Sequence, residues 1–178
     1  MIFYGKIREH RELRNNLLEL ISTAPATPIQ KKDEYFGDDI TRSDWGNAND
    51  YERPWVQKLL KPFMTEMLSM CNLAGYRDFE LFEIWFQQYE KNSKHGWHIH
   101  GRNYTGVYYL QFDGTAKTQI WNNEIINLNC EEGDIVMFPS FMIHRAPPVQ
   151  NDKTKTIVSF NIEFKDIDPK KLMQIDNA

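Results

Sequence analysis

The chain has 178 residues, 41% hydrophobic and 13% aromatic, with a formal net charge of −4. That length suits one domain spanning 1–178 and able to bury roughly two-thirds of its unfolded surface, and the aromatic content excludes a disordered chain. The acidic balance argues against a general attraction to nucleic-acid phosphates or anionic lipid.

Residues 2–7 have the pattern of a short opening strand. In 9–22, Leu13, Leu17, Leu18 and Ile21 recur at helical spacing. Residues 24–53 are rich in Pro, Asp, Asn and Gly and are expected to form a long irregular segment. Pro54 suits the first turn of a helix over about 54–74, with Val56, Leu59, Leu60, Phe63, Met67 and Met70 as its apolar face. After Gly75 the period falls to two. Phe79, Leu81, Glu83, Trp85, Gln87 and Tyr89 are expected on one face of a strand, and Phe82, Ile84 and Phe86 on the other. Strands follow at 105–112, 117–121, 134–139 and 155–164, separated by turn signals at Asp113-Gly114, Asn122-Asn123 and Glu132-Gly133-Asp134. Helices first and many short strands afterwards predict an α+β protein. Helical support over about 1–75 packs on one sheet of an antiparallel jelly roll over about 76–165.

Cys71 and Cys130 form no CxxC and no disulfide framework, so both are expected as buried thiols in a reducing cytoplasm. The start MIFYGKIREH lacks a signal-peptide pattern, and no run approaches the ~20 apolar residues of a membrane span.

Four of the five histidines lie in the strand-rich half. His98 and His100 are one residue apart, so on a strand both imidazoles project from one face, a two-point site for a first-row transition metal. His144 follows 46 residues after His98, enough chain for a rolled sheet to return a third ligand. The competing reading is that a histidine on a strand is simply a core or surface residue. His10 and His95 have no such geometry and are read as solvated.

The surroundings of the pair are more specific. His98-x-His100, Thr105-Gly106-Val107-Tyr108-Tyr109, Gly133-Asp134, Phe138-Pro139-Ser140, His144, Lys155 and Ser159-Phe160-Asn161 resemble the 2-oxoglutarate/iron(II)-dependent oxygenases of bacteria and their phages. The likeness covers about residues 79–164. It implies a double-stranded β-helix core of the jelly-roll or cupin kind, and a dioxygenase, in the first instance a hydroxylase, that uses Fe(2+), 2-oxoglutarate and O2. It also implies His98, His100 and His144 as metal ligands. Lys155, eleven residues after His144, matches the basic residue that pairs with the distal carboxylate of the co-substrate. Tyr89, and Tyr108 or Tyr109, are candidates to hydrogen-bond that co-substrate, against the alternative that they are core aromatics. Trp97 and Arg102 are candidates to touch substrate, and Arg145 is a lesser candidate anchor. The chain departs from the wider superfamily in having His100 where a carboxylate is usual and Lys where Arg is common. The substrate, a small molecule or a protein side chain, is not legible. Two other readings stay open: a cupin-like three-histidine metalloenzyme without 2-oxoglutarate, and a non-catalytic jelly-roll binding module.

Overall fold

The computed structural model describes residues 1–175. In chain order the elements are β1 (Phe3–Lys6), α1 (His10–Thr23), β2 (Thr27–Lys31), β3 (Asp38–Ser43), a 3-10 turn (Trp45–Asn47) and α2 (Pro54–Leu73). Then come β4 (Tyr76–Tyr89), β5 (His95–His98), β6 (Tyr104–Gln111), β7 (Gln119–Trp121), β8 (Ile125–Asn127), β9 (Asp134–Pro139), β10 (His144–Ala146), β11 (Lys155–Ile167) and α3 (Pro169–Ile175). The strands form two sheets, a seven-stranded one in the order β1-β9-β6-β11-β4-β3-β2 and a four-stranded one in the order β5-β10-β7-β8. Every pairing is antiparallel.

Two apolar cores follow from this layering. On the outer face of the large sheet, Leu17 and Ile21 of α1 and Trp55, Val56, Leu59, Phe63, Met67 and Met70 of α2 pack on Ile84, Phe86, Val158 and Phe160. These are the apolar stripes read from helical spacing. Between the sheets, Ile40, Tyr89, Tyr109, Ile120, Phe138 and Ile157 make the second core. Cys71 and Cys130 are free and buried. Among the described residues, no helix is long and apolar enough to cross a membrane.

Three local expectations change. The segment 24–53 is not irregular: it contains β2, β3 and the 3-10 turn, with β3 joining the large sheet through Arg42↔Gln88 and Ser43↔Gln87. β2 is the edge strand and β3 lies beside it, paired with β4 over two residues, so many of their side chains are polar and exposed and their composition resembles a loop. Second, β4 carries a bulge at Phe82, since Glu83 pairs with Asn161 and Leu81 with the next residue, Ile162. The extra residue reverses the alternation, so Phe79 and Leu81 face the helices with Ile84 rather than sharing a face with Trp85. Third, His10 is buried at 8% exposure and hydrogen-bonds Tyr108 through Nδ1 at 2.7 Å. Being the first residue of a helix packed on the sheet, it is carried inward.

Gly106 in β6 is required by close approach: a Cβ there would lie 2.3 Å from Cζ of Phe160 and 2.6 Å from the Val136 carbonyl oxygen.

Candidate metal centre

The short sheet carries the site. His98 ends β5 and His144 begins β10, and the two are direct partners in the antiparallel register. His100 is not on the strand, as expected from the alternation, but two residues beyond its end; its backbone N–H donates to the Ser140 carbonyl at 3.0 Å. Strand pairing and this extra bond bring the three imidazoles together. One ring nitrogen from each of His98, His100 and His144 lies within 4.8 Å of the others. The ring centroids are 4.2 Å apart for His98–His144, 5.0 Å for His98–His100 and 5.1 Å for His100–His144.

Two of the rings are oriented by their own backbone. His98 Nδ1 is 2.7 Å from the Gly96 carbonyl and His144 Nδ1 is 2.8 Å from the Met142 carbonyl. A carbonyl can only accept, so Nδ1 carries the proton and Nε2 presents its lone pair to the cluster. Burial also keeps the rings neutral: it lowers His98, pushes His100 down to about 4, and holds His144 well below the usual range. Neutral imidazoles are the form that ligates metal.

His95, read as solvated, is instead stacked flat on His98 with centroids 3.7 Å apart, and its Nε2 is 3.6 Å from Oδ1 of Asp38. Burial pushes it down to about 2. The sequence has no signal for this, because the neighbour Asp38 comes from β3, 57 residues earlier in the chain.

The cluster borders two hollows. One, a cavity of about 30 Å3, runs inward between the sheets past Trp85, Gln87, Thr118, Ile157 and Ser159 to Tyr89. Tyr89 is 1% exposed and its hydroxyl has no hydrogen-bond partner among the described residues. Over its ring sits Lys155, with Nζ 5.4 Å from the centroid. Lys155 is 4% exposed, donates to the Ala116 carbonyl at 2.7 Å, and is pushed by burial down to about 8. The other hollow, a cleft of about 210 Å3, opens outward and is walled by Ile29, Ile40, Trp45, Trp85 and Ile99, with Asp38 and His95.

The remaining candidates lie elsewhere. Tyr108 faces the helices, its hydroxyl engaged by His10, so it is not positioned to meet a co-substrate; the neighbouring Tyr109 faces Lys155 instead, 5.9 Å from ring centroid to Nζ, and donates to Thr118 Oγ1. Alternation along β6 decides between them. Arg145 donates to Gln119 and lies over the Trp97 ring, and Arg102 stacks on Phe82 and pairs with Glu163.

No family model matches the sequence, and no curated protein matches it. Solved structures do resemble the fold. An oxidoreductase of the 2OG-Fe(II) oxygenase family from Burkholderia pseudomallei superposes with a TM-score of 0.63 at 14% identity, over 83% of this chain and 77% of that one. A prolyl hydroxylase from Trichoplax adhaerens, in complex with a hypoxia inducible factor peptide fragment, gives 0.64 at 14% identity over 97% and 86%. A prolyl-4-hydroxylase from Pseudomonas putida gives 0.59 at 15% identity over 90% and 91%. The two facing antiparallel sheets of this chain, with helices on the outer face of the larger one, are the double-stranded β-helix fold of those oxygenases.

Proposed function

We propose that the chain is an iron(II)- and 2-oxoglutarate-dependent dioxygenase that hydroxylates a C–H bond. The observation that carries this reading is the arrangement along one cavity. Three neutral imidazoles stand at its mouth, and an unpartnered tyrosine hydroxyl lies at its inner end, with a buried lysine over that tyrosine's ring. The prolyl hydroxylases among the similar structures support the hydroxylase outcome.

The donor set fits iron(II), which accepts imidazole nitrogen and keeps open positions for other ligands. Three neutral ligands leave the ion's two positive charges uncompensated, which favours an anionic chelator. Iron and co-substrate together supply the oxidation: O2 is divided between a hydroxyl on the substrate and the new carboxylate of succinate, with release of carbon dioxide.

The chain's own residues bind, orient and exclude water. His98 and His144 offer Nε2 because the Gly96 and Met142 carbonyls hold their Nδ1 protons. Protonated Lys155 is the counter-charge for the distal carboxylate, and the Tyr89 hydroxyl is a second donor to it. The cavity has room for a water or two, so its walls must part to seat a five-carbon diacid, and Lys155 would exchange the Ala116 carbonyl for the diacid's carboxylate. That exchange replaces a neutral acceptor with a charged one, the stronger hydrogen bond. Trp85 lines both hollows and shields the metal face from bulk water. Substrate, a small molecule or a protein side chain, enters by the outer cleft. The free, buried thiols support a cytoplasmic setting.

The test is succinate formation from 2-oxoglutarate, Fe(II) and O2 by protein purified without a histidine tag. His144→Ala should abolish it. Stoichiometric iron binding without any consumption of 2-oxoglutarate would move the protein to the cupin-like three-histidine class.

A further inference from the structure

We infer that Gln87 donates a hydrogen bond from its side-chain amide to the metal-binding end of 2-oxoglutarate, and that Ser159 holds the amide in the orientation that does so. The inference rests on the oxygenase reading and adds a binding residue to the same site, at the end of the co-substrate opposite to Lys155.

Its basis is an order along one strand face. The inner face of β4 carries Trp85, Gln87 and Tyr89, whose register partners on β11 are Ser159, Ile157 and Lys155. Tyr89 and Lys155 close the inner end of the cavity, and Trp85 stands at the histidine cluster, its ring 6.0 Å from that of His100. Gln87 lies between them, about 7 Å along the strand from each. It lines both hollows and so stands where they meet. A five-carbon diacid reaching from Lys155 to the three imidazoles passes it.

The amide is half used. Gln87 is 3% exposed, and the Ser159 hydroxyl donates to its Oε1 at 3.0 Å. That contact commits the oxygen to β11 and leaves Nε2, a donor without a partner among the described residues. Neighbouring hydroxyls are committed elsewhere: Thr105 donates to the Phe160 carbonyl at 3.1 Å and Tyr109 to Thr118 Oγ1 at 2.7 Å. A buried amide N–H without an acceptor costs free energy that a bound carboxylate would recover. The need is mutual, because a carboxylate oxygen carried out of water beside the metal has to find a donor. Gln87 supplies a neutral one, so the metal-binding end is held without a second cation beside the iron.

The experiment titrates protein loaded anaerobically with Fe(II) with two acids. One is 2-oxoglutarate; the other is 2-oxopentanoate, which keeps the 2-oxo acid and lacks the distal carboxylate. Affinity is read by calorimetry, and the position of the weak visible charge-transfer band of the chelate is recorded. Gln87→Leu should weaken both acids about tenfold, as loss of a hydrogen bond to a charged group allows, and should shift the band. Lys155→Ala should weaken 2-oxoglutarate alone. Ser159→Ala, which frees the amide to turn, should weaken both acids by less, and it carries the test where Gln87→Leu folds poorly. A Gln87 that only ties β4 to β11 would change stability and leave 2-oxopentanoate affinity and the band where they are. That result, or a loss confined to 2-oxoglutarate, overturns the inference. Wild-type protein that binds iron and neither acid would instead overturn the oxygenase reading beneath it.

Discussion

At the residue scale the site depends on protons held in the right places. His144→Ala or His98→Ala removes one of the two proposed ligands whose tautomer the backbone dictates, and each should abolish stoichiometric iron(II) binding in equilibrium titration. His10→Ala should leave iron binding intact, because that ring serves Tyr108 and Glu132 on the far side of the sheet. Lys155 is the more delicate case. Lys155→Ala should raise the 2-oxoglutarate concentration for half-maximal turnover about ten- to hundredfold, the worth of a charge-assisted contact, while exposed Lys153→Ala leaves it unchanged. Burial lowers Lys155 to about 8, and only its protonated form attracts a carboxylate. Half-saturation should therefore begin to climb as pH rises through about 8. A solvated lysine would hold its charge to near 10. Lys155→Arg, which stays protonated, should flatten that rise. A pH-independent half-saturation in the wild type would remove Lys155 as the anchor.

At the scale of elements, the site is supported by contacts that the helices and long strands provide. Asp44, at the end of β3, is fully buried and gathers the Arg53 guanidinium, the Trp55 indole N–H at 2.9 Å and the Phe86 backbone N–H at 2.8 Å. It thus ties the start of α2 to β4, the strand that carries Trp85, Gln87 and Tyr89. Asp44→Ala leaves a buried guanidinium without its carboxylate and should cost about 3–5 kcal/mol in denaturant unfolding. Gly106→Ala forces a methyl against Phe160 and the Val136 carbonyl and should destabilise by about 1–3 kcal/mol. An unchanged unfolding midpoint in Gly106→Ala would mean β6 can shift without cost. α1, α2 and the long strands were legible, because Leu17, Ile21 and the α2 stripe recur at helical period and β4 and β11 alternate; the seven-residue α3 was not expected. β2, β3, β8 and β10 were not, since strands of three to six residues at sheet edges or beside the site carry too few side chains to set a period.

At the scale of the whole molecule, two sheets face each other and bring β3, β4, β5, β10 and β11 to the histidine cluster and its two hollows. Ligands that bind only this folded form should stabilise it. At about a hundred times their dissociation constants, Fe(II) or 2-oxoglutarate on the iron-loaded protein should each add about 2.7 kcal/mol to unfolding. His98→Ala should show neither increment, and an equal gain in that variant would place metal binding elsewhere.

The HxH spacing of His98 and His100, the apolar stripes of α1 and α2 and the alternation of β4 and β11 were readable from residue types and spacing, while the roles of His144 and Lys155 came from the family resemblance. The spacings are local features: HxH is a two-residue repeat, and a stripe of leucines lies within one helix. What required the tertiary structure was every choice that depends on pairing partners distant in the chain. The bulge at Phe82 decides which side of β4 faces the histidine cluster, and it exists only against Asn161 and Ile162. The facing direction of β6 turns Tyr108 to His10 and Tyr109 to Lys155, and no local pattern distinguishes two adjacent tyrosines. Asp38 and His95 meet only because the β3 edge folds over β5. Sequence period reports which residues want to be buried; only the register of the strands reports what they are buried against.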